Sequence, residues 1–345
     1  MYGAGLNLFQ MPLFPFFMER LGAYTVDRLK TAPLYKRVLK EFAAVTLEFG
    51  YDHLFFPGGT RIRSGGIEQR LKKGLLGTVL EAFVSSRMAG KSRRYYVVPV
   101  TMTYHLVLEA ATLIADHLQE AGKSRFIIID DESSKPAVIL DFVNRLLSME
   151  GRVFIHFCEP LDPFGNRVDE TGESIDRHGR RIDIDGYIRR RGKIVRDAQR
   201  DAVYTRQLAE RIVSAYLDNT TILSTHLAAH LCFRLLREQA AETDLFEFLR
   251  ETAFPLSLPL DPFLSAMAKM LGELRAMRER GKIRLEPLLE RGDPLAILMN
   301  ALKYFGVYHE APVIERKGNR LFTRDPNLLY YYHNKLDPYR LEVAA

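Results

Sequence analysis

The chain has 345 residues, of which 47% are hydrophobic and 27% are charged. This ordinary globular composition excludes a largely disordered chain, and the length predicts one large domain or two of ordinary size. Lysine and arginine outnumber aspartate and glutamate by 49 to 43, which predicts an anionic partner such as a phosphate, an anionic lipid or a nucleic acid. The two cysteines exclude a disulfide framework and a cysteine-rich metal site.

The longest apolar region, Leu6 to Phe17, is short and is interrupted by Gln10, Pro12 and Pro15. A membrane-spanning helix needs roughly 20 consecutive apolar residues, so this region does not predict one. The region also lacks the basic start and the small-residue cleavage site of a signal peptide. We therefore expect a soluble or membrane-surface protein of the cytoplasmic side, in which Leu6 to Phe17 either lies at the membrane interface or packs into the core.

Helical and strand-like segments alternate over the first 160 residues. In the first helical segment, Leu34, Val38, Phe42 and Val45 lie on one apolar stripe. The alternation predicts an α/β fold with a mixed, largely parallel sheet flanked by helices. The predicted helices are 29–49, 74–88, 107–119 and 137–149, and the predicted strands are 52–56, 95–103, 125–129 and 151–157.

The pattern changes after Cys158, and it divides the chain into three parts. Residues 1–160 form the predicted α/β core, and residues 161–200 read as a long excursion that is dense in charged and turn residues. We find no internal repeat. Residues 201–345 form a mostly helical C-terminal region, in which the predicted helices are 203–217, 221–240, 244–251, 263–279 and 295–305.

Two short sequences look like phosphate-binding P-loops, but neither qualifies. Gly90-Lys91-Ser92 and Gly122-Lys123-Ser124 lack the first glycine of that motif, and each follows a helix rather than a strand. A nucleic-acid partner is also disfavoured, because the clustered arginines lie on turns around glycines rather than on a basic face with aromatic residues.

One motif combines a turn with basic side chains. Residues 54–65 (LFFPGGTRIRSG) read as a short apolar strand, a Pro-Gly-Gly turn, and then Arg61 and Arg63 two residues apart. Glycine lets backbone N–H groups approach an oxyanion closely, and arginine forks match phosphate. Between residues 61 and 94, nine basic residues face two acidic ones, so the basic excess of the chain lies here. A solvated turn with ordinary surface arginines is the alternative.

These residues resemble the glycerophospholipid acyltransferases, and especially the glycerol-3-phosphate acyltransferases. FFPGGTRIRSG is similar to the third conserved block of that family, and residues 21–28 (LGAYTVDR) are similar to the second. Val98-Pro99-Val100 resembles the fourth block. Residues 151–161 (GRVFIHFCEPL) resemble a later Glu-Pro segment, and residues 328–334 (LLYYYHN) resemble the C-terminal tail of the larger enzymes.

The resemblance implies transfer of a fatty acyl group from acyl-CoA or acyl carrier protein to glycerol 3-phosphate, in phospholipid biosynthesis, with no metal or organic cofactor. By position, it implies that Arg28, Arg61 and Arg63 hold the phosphate of the acceptor. Gly22, Gly58, Gly59, Thr60 and Pro99 then support the motifs. It further implies a protein that is peripheral on the inner face of the cell membrane, with the membrane surface as a partner and without a nucleic-acid partner.

Two features depart from the family pattern. Gly58 replaces a glutamate and Ile62 replaces a serine in the third block. The His-x4-Asp pair of the first block, which supplies the general base, does not precede Gly22; the spacing recurs at His178 and Asp183, which we interpret as coincidence. Our hypothesis is an N-terminally truncated enzyme; the alternatives are a non-catalytic lipid-phosphate-binding relative and, among enzymes, a 1-acylglycerol-3-phosphate acyltransferase.

Overall fold

The computed structural model of the chain describes residues 1–6, 9, 14–27, 30–59, 61–121, 152–240, 242–250, 256–309 and 311–342. The predicted strand 125–129 and the predicted helix 137–149 lie outside the described residues. The strands within them are β1 (Tyr2–Gly5), β2 (Ala23–Val26), β3 (Val100–Tyr104), β4 (Val153–Phe157), β5 (Arg167–Val168), β6 (Ser174–Ile175), β7 (Arg189–Arg190), β8 (Lys193–Ile194), β9 (Thr221–Ile222), β10 (Leu256–Pro259), β11 (Arg284–Leu285), β12 (Glu315–Lys317) and β13 (Arg320–Thr323).

Each predicted helical segment that the structure describes contains an α-helix, whereas the helices at Phe14–Arg20, Pro287–Arg291 and Pro326–His333 were not predicted. Short 3₁₀ helices lie at Ile184–Ile188 and Asp337–Tyr339. The α-helices are α1 (Phe14–Arg20), α2 (Pro33–Phe49), α3 (Lys73–Leu76), α4 (Thr78–Met88), α5 (Ala110–Ala121), α6 (Ala198–Asn219), α7 (Ser224–Gln239), α8 (Leu245–Arg250), α9 (Leu260–Glu279), α10 (Pro287–Arg291), α11 (Pro294–Phe305) and α12 (Pro326–His333).

Two compact units divide the chain, and both are assembled from separate stretches of sequence. The first unit comprises Met1–Thr60, Gln69–Pro99 and Cys158–Ala215. The second unit comprises Arg61–Glu68, Val100–Phe157 and Tyr216–Ala345. These two units interleave along the chain and do not test the division into 1–160, 161–200 and 201–345, which stays a prediction.

The first unit begins with a small parallel sheet. β1 pairs with β2 in parallel, with Tyr2 opposite Ala23, and Leu54 forms a single parallel bridge to Tyr2. The predicted strand over 52–56 therefore contributes one bridge. Pro33 at the first position of α2 fits the backbone of a helix start, and Gly50 ends that helix in the left-handed conformation at φ +95°.

Helix α2 has the predicted period, but its apolar stripe does not lie in a core. Helix α2 packs against α4, and its buried residues are Ala43 and Ala44. Leu34 on the predicted stripe is 73% exposed, and Phe49, one turn beyond the stripe, is 74% exposed. The small alanine side chains allow the close approach of α4, which leaves the bulky stripe on the opposite side.

Residues 161–195 form an array of tight turns with a seven-residue period. Asp162, Asp169, Asp176 and Asp183 stand at equal intervals, and a glycine follows each of them three residues later. In the first three turns, the aspartate Oδ1 accepts hydrogen bonds from the backbone N–H groups two and four residues ahead. The expectation that the chain has no internal repeat is therefore wrong.

The second unit is built around α7. Helices α9, α11 and α12 pack around it, and α5 packs against α12. The buried side chains of α7 include Leu227, Leu231 and Phe233. β3 pairs with β4 in an antiparallel ladder, with Val100 opposite Phe157. β9 pairs in parallel with β11, and β10, β13 and β12 form an antiparallel sheet.

The α/β class is confirmed, because small sheets are flanked by helices. The prediction of a largely parallel sheet needs a correction at the level of pairing. Parallel pairing occurs between β1 and β2 and between β9 and β11, whereas the other strand pairs among the described residues are antiparallel. Alternation of strands and helices does not by itself fix strand direction, because β3 and β4 are antiparallel although α5 lies between them in the sequence.

Candidate functional site

The segment Arg61–Glu68 lies in the second unit and carries two of the three candidate arginines. Arg61 forms a charged hydrogen bond with Glu109, immediately before α5. Arg63 forms an ion pair with Glu120 of α5, and its Nε lies 3.8 Å from an oxygen of Asp116. Both guanidinium groups thus meet carboxylates along one helix.

The three carboxylates share one helical face. Glu109, Asp116 and Glu120 are seven and four residues apart, which is the spacing of neighbours on one side of an α-helix. Sequence analysis did not single them out. This spacing of acidic residues within the predicted helix 107–119 and next to its end is the signal that could have found them, because it places carboxylates along one side of a helix that can face the arginines.

Tyrosines surround the Arg61–Glu109 pair. Burial is the main cause that raises the pKa of Tyr331, with the nearby Tyr104 and Glu109 acting in the same direction and Arg61 opposing them. Burial, followed by the charge of Glu109, also raises the pKa of Tyr104. These phenols therefore stay protonated at neutral pH and can donate or accept hydrogen bonds beside a guanidinium group.

The glycine turn of the same motif belongs to the first unit. Gly59 has φ +77°, and its N–H donates to the carbonyl of Phe56 at 3.0 Å, so the chain reverses at this point. A Cβ atom at Gly59 would lie 2.6 Å from Cδ of Lys72, whose own N–H donates to Pro57. Gly58 precedes this reversal, and Thr60 lies outside the described residues.

The other candidate residues have local structural roles where they are described. Gly22 has φ +82° and leads into β2. Pro99 is buried, and its carbonyl accepts the N–H of Cys158 at 2.9 Å. Arg28 lies outside the described residues. The structure therefore brings Arg61 and Arg63 to one helix, and the assignment of a phosphate site stays a prediction.

Several other basic residues of the 61–94 region have partners within the first unit. Arg87 forms an ion pair with Asp185 at 2.7 Å. Arg93 donates to the carbonyls of Leu47 and Glu48 at the C-terminus of α2, where a cation also complements the helix dipole. Some of the basic residues that give this region its positive charge, such as Arg87 and Arg93, therefore stabilise local structure.

His178 and Asp183 have separate partners in the turn array. His178 Nε2 accepts a hydrogen bond from Arg177 at 3.0 Å. The carboxylate of Asp183 accepts the backbone N–H of Asp185 at 3.0 Å and lies 3.4 Å from Arg189. The two residues are therefore not arranged as a hydrogen-bonded histidine–carboxylate pair in this structure.

Across the described ranges, no group of three or more His, Cys, Asp or Glu side chains is arranged to hold a metal ion. Among the helices that the structure describes, none is long and apolar enough to cross a bilayer. The candidate functional features on the described part of the chain are the paired arginines, their carboxylates and the adjacent tyrosines.

Comparison with known proteins gives a consistent picture. Residues 2–103 match the family model for acyltransferases. The glycerol-3-phosphate acyltransferase of Pseudomonas fluorescens (strain SBW25) is 33% identical over 160 residues, which are 46% of this chain and 17% of that protein. The glycerol-3-phosphate acyltransferase of Aeromonas hydrophila is 32% identical over 176 residues, which are 51% of this chain and 20% of that protein. The matched region thus spans about a fifth of the length of these relatives.

Proposed function

We propose, from the match of residues 2–103 to the acyltransferase family model, that the chain is an acyltransferase that binds glycerol 3-phosphate for acylation. The reaction joins the acyl group of a coenzyme A or acyl-carrier-protein thioester to a hydroxyl of glycerol 3-phosphate, in phospholipid biosynthesis. The names of the relatives support the acceptor, since two glycerol-3-phosphate acyltransferases align with about half of this chain.

The observation that carries the proposal is the arrangement of Arg61 and Arg63. Both side chains already engage carboxylates, and the same planar fork matches phosphate. A phosphate monoester brings up to two negative charges, so it competes with single carboxylates for the same guanidinium groups. Tyr104, which is 41% exposed, lies close enough to Glu109 for the charge of that carboxylate to raise the pKa of its phenol, after the larger effect of burial.

The role of these residues in the reaction is to bind and orient the acceptor. The acceptor hydroxyl attacks the thioester carbonyl, an ester forms, the carbon–sulfur bond breaks, and the hydroxyl proton is passed through a base to the leaving thiol. Fixing the phosphate at Arg61 and Arg63 restricts the position of that hydroxyl, which contributes through proximity. In the family that this chain resembles, the base comes from a His-x4-Asp pair.

A binding-only relative is the second candidate function. In such a protein, His178 and Asp183 would supply no general base, since the two residues have separate partners. Such a protein would bind glycerol 3-phosphate or a lysophosphatidate through the same arginines but would not catalyse acyl transfer to it.

We further propose that the protein is peripheral on the inner face of the cell membrane. The acyl donor and the product are amphiphilic, so they partition to a bilayer surface. Phe16 and Phe17 are 53% and 58% exposed, and the guanidinium of Arg20 lies 3.7 Å from the ring centre of Phe16. Exposed aromatic rings beside a cation are suited to the headgroup region of anionic lipids.

The test measures binding of glycerol 3-phosphate by calorimetry and acyl transfer from a long-chain acyl-CoA, each with the 345-residue chain. Arg61→Ala removes a charged fork and should weaken binding about tenfold or more. Arg291→Ala, at an exposed arginine of α10 in the same unit, is the matched control and should leave binding unchanged.

The outcomes separate the candidate functions. Turnover that Arg61→Ala abolishes supports the acyltransferase, whereas binding without turnover supports the binding-only relative. Turnover with 1-acylglycerol 3-phosphate alone would assign the alternative acceptor. Equal binding by the wild type, Arg61→Ala and Arg291→Ala would contradict the proposed site.

A further inference from the structure

The backbone that carries Arg61 and Arg63 is held by residues about 270 positions later in the sequence. Within the second unit, the side-chain amide of Asn334 donates to the carbonyl of Ser64 at 2.9 Å. The ammonium of Lys335 donates to the carbonyl of Gly66 at 2.8 Å. These two contacts fix alternate carbonyls of the segment directly after Arg63.

We propose that Asn334 and Lys335 are positioning residues for the acceptor phosphate. They hold the segment 61–68 so that Arg61 and Arg63 present their guanidinium groups in one fixed direction. The inference rests on the proposed function, because it takes the two arginines as the phosphate-binding groups. It assigns a role to the C-terminal end of α12, which the matched region 2–103 does not include.

The segment 61–68 packs closely against the C-terminal end of α12. Gly65 has φ +76°, and a Cβ atom there would clash with the carbonyl oxygen of Tyr331. At Gly66, a Cβ atom would lie 3.4 Å from the carbonyl oxygen of Asn334. Both glycines are buried, so the segment is pressed against the last turn of the helix.

Helix α12 is itself a firm support. Asp325 accepts the N–H of Leu328 at its N-terminus, at 2.9 Å, and α12 packs against both α7 and α5. Helix α5 carries Asp116 and Glu120, the carboxylates that meet Arg63. The backbone of the arginine segment and the partners of its side chains are therefore fixed on packed helices of one unit.

The charge of Lys335 adds a second effect. Its partner is a neutral carbonyl, so its positive charge is not cancelled by this contact. Desolvation lowers the pKa of its ammonium to about 8, which leaves it mainly charged at pH 7. A cation behind the arginine segment favours an anion at that segment.

The experiment compares Asn334→Ala and Lys335→Met with the wild type and with Lys303→Met, an exposed lysine of α11 in the same unit. It measures the affinity for glycerol 3-phosphate, the hydrogen exchange of residues 61–68 and the melting temperature. We expect a roughly five- to twentyfold loss of affinity and faster exchange confined to that segment, with Lys303→Met unchanged. Lys335→Arg, which keeps a charged donor, should restore part of the affinity.

A double-mutant cycle distinguishes positioning from general destabilisation. If Lys335 acts through Arg61, Lys335→Met should reduce affinity less in an Arg61→Ala background than in the wild type. Equal losses in both backgrounds, or unchanged exchange of residues 61–68, would overturn the proposal. If the wild type does not bind glycerol 3-phosphate, the proposed function fails, and the exchange data alone then decide whether Asn334 and Lys335 order the segment.

Discussion

The carboxylates beside Arg61 and Arg63 occupy the guanidinium forks that the proposed phosphate would use. Glu109→Gln removes the charge that competes at Arg61, so we expect glycerol 3-phosphate to bind roughly two- to fivefold more tightly, in line with a partly exposed ion pair. Calorimetric titration at low and moderate salt measures this. Glu279→Gln, at an exposed position of α9, is the control. Weaker binding by Glu109→Gln would instead show that this carboxylate orients Arg61.

Gly65 is the residue at which the backbone requirement is strictest. Gly65→Ala combines a left-handed backbone with a backbone clash against Tyr331, so unfolding should become easier by about 3 kcal/mol or more. Gly281→Ala, at φ +68° with open space around it in the same unit, should cost only about 1–2 kcal/mol. Urea denaturation measures both. Equal losses would mean that the segment moves away from α12 at little cost.

At the scale of residues, part of the candidate site could be predicted from the sequence. Arg61 and Arg63 follow from their spacing after a glycine turn, because adjacent forks are a local property of the chain. Glu109 and Lys335 do not follow from local pattern, since nothing in the sequence states which helix faces residues 61–68. The resemblance at residues 328–334 drew attention to the C-terminal end without giving its role.

At the scale of elements, the array of turns at 161–195 shows how a repeat supports a long excursion. In the first three turns, the aspartate carboxylate accepts backbone N–H groups of its own turn, so these N–H groups need no partner on a neighbouring strand. The signal is present in the sequence as aspartates every seven residues, each followed by glycine three residues later. A search for helical or strand periodicity does not reveal this repeat, because its seven-residue period is set by turns and not by the 3.6-residue or two-residue period of a helix or a strand.

The turns of this array differ in burial, which predicts a graded response to mutation. Asp162 is 1% exposed and accepts hydrogen bonds from Phe164, from the backbone of Asn166 and from the side chain of Asn166. Asp162→Ala leaves these buried donors unpaired and should destabilise the protein by about 3 kcal/mol or more. Asp176→Ala removes the same pattern from an exposed turn and should cost clearly less. Thermal unfolding of the two variants measures the difference, and an equal loss would contradict the role of burial.

Helices were more predictable than strands for a physical reason. A helix satisfies its hydrogen bonds locally, so the period of α2 or α7 is visible in the sequence. A strand such as that predicted at 52–56 needs a partner elsewhere, and among the residues that the structure describes it pairs through Leu54 alone. The same limit applies to strand direction. β3 and β4 pair in an antiparallel ladder, and the composition of the two strands does not encode this direction.

At the scale of the whole molecule, the histidines and aspartates with lowered pKa values are unevenly divided between the two units. The second unit buries neutral histidines: burial lowers the pKa of His230 to about 3 and that of His309 to about 4, and it lowers those of His226 and His333 as well. The first unit holds one histidine whose pKa burial lowers, His53, together with several aspartates with lowered pKa values, whereas the second unit holds one such aspartate, Asp337. Asp176, whose carboxylate accepts the backbone N–H of Arg180, has a pKa of about 2.

These groups destabilise their units in different pH windows. A histidine whose folded pKa lies below its unfolded value of about 6.5 contributes stability above pH 6.5, and this stability is lost as the pH falls towards the folded pKa. Between pH 6.5 and 5, the loss is about 2 kcal/mol for each of His230 and His309. An aspartate with a lowered pKa loses its contribution only below about pH 4. We therefore expect acid to unfold the second unit before the first.

Hydrogen exchange read by mass spectrometry, stepped from pH 7 to 4 with rates corrected for intrinsic chemistry, tests this order. Peptides from α7 and α12 should lose protection at a higher pH than peptides from α2 and α4. His309→Gln removes one titrating group but keeps a polar partner for the Tyr332 hydroxyl, so it should move the first transition to lower pH. His178→Gln, at an exposed histidine of the turn array, should leave it in place. Simultaneous loss of protection in all four helices, or earlier loss in α2 and α4, would show that buried histidines do not set the acid limit of this protein.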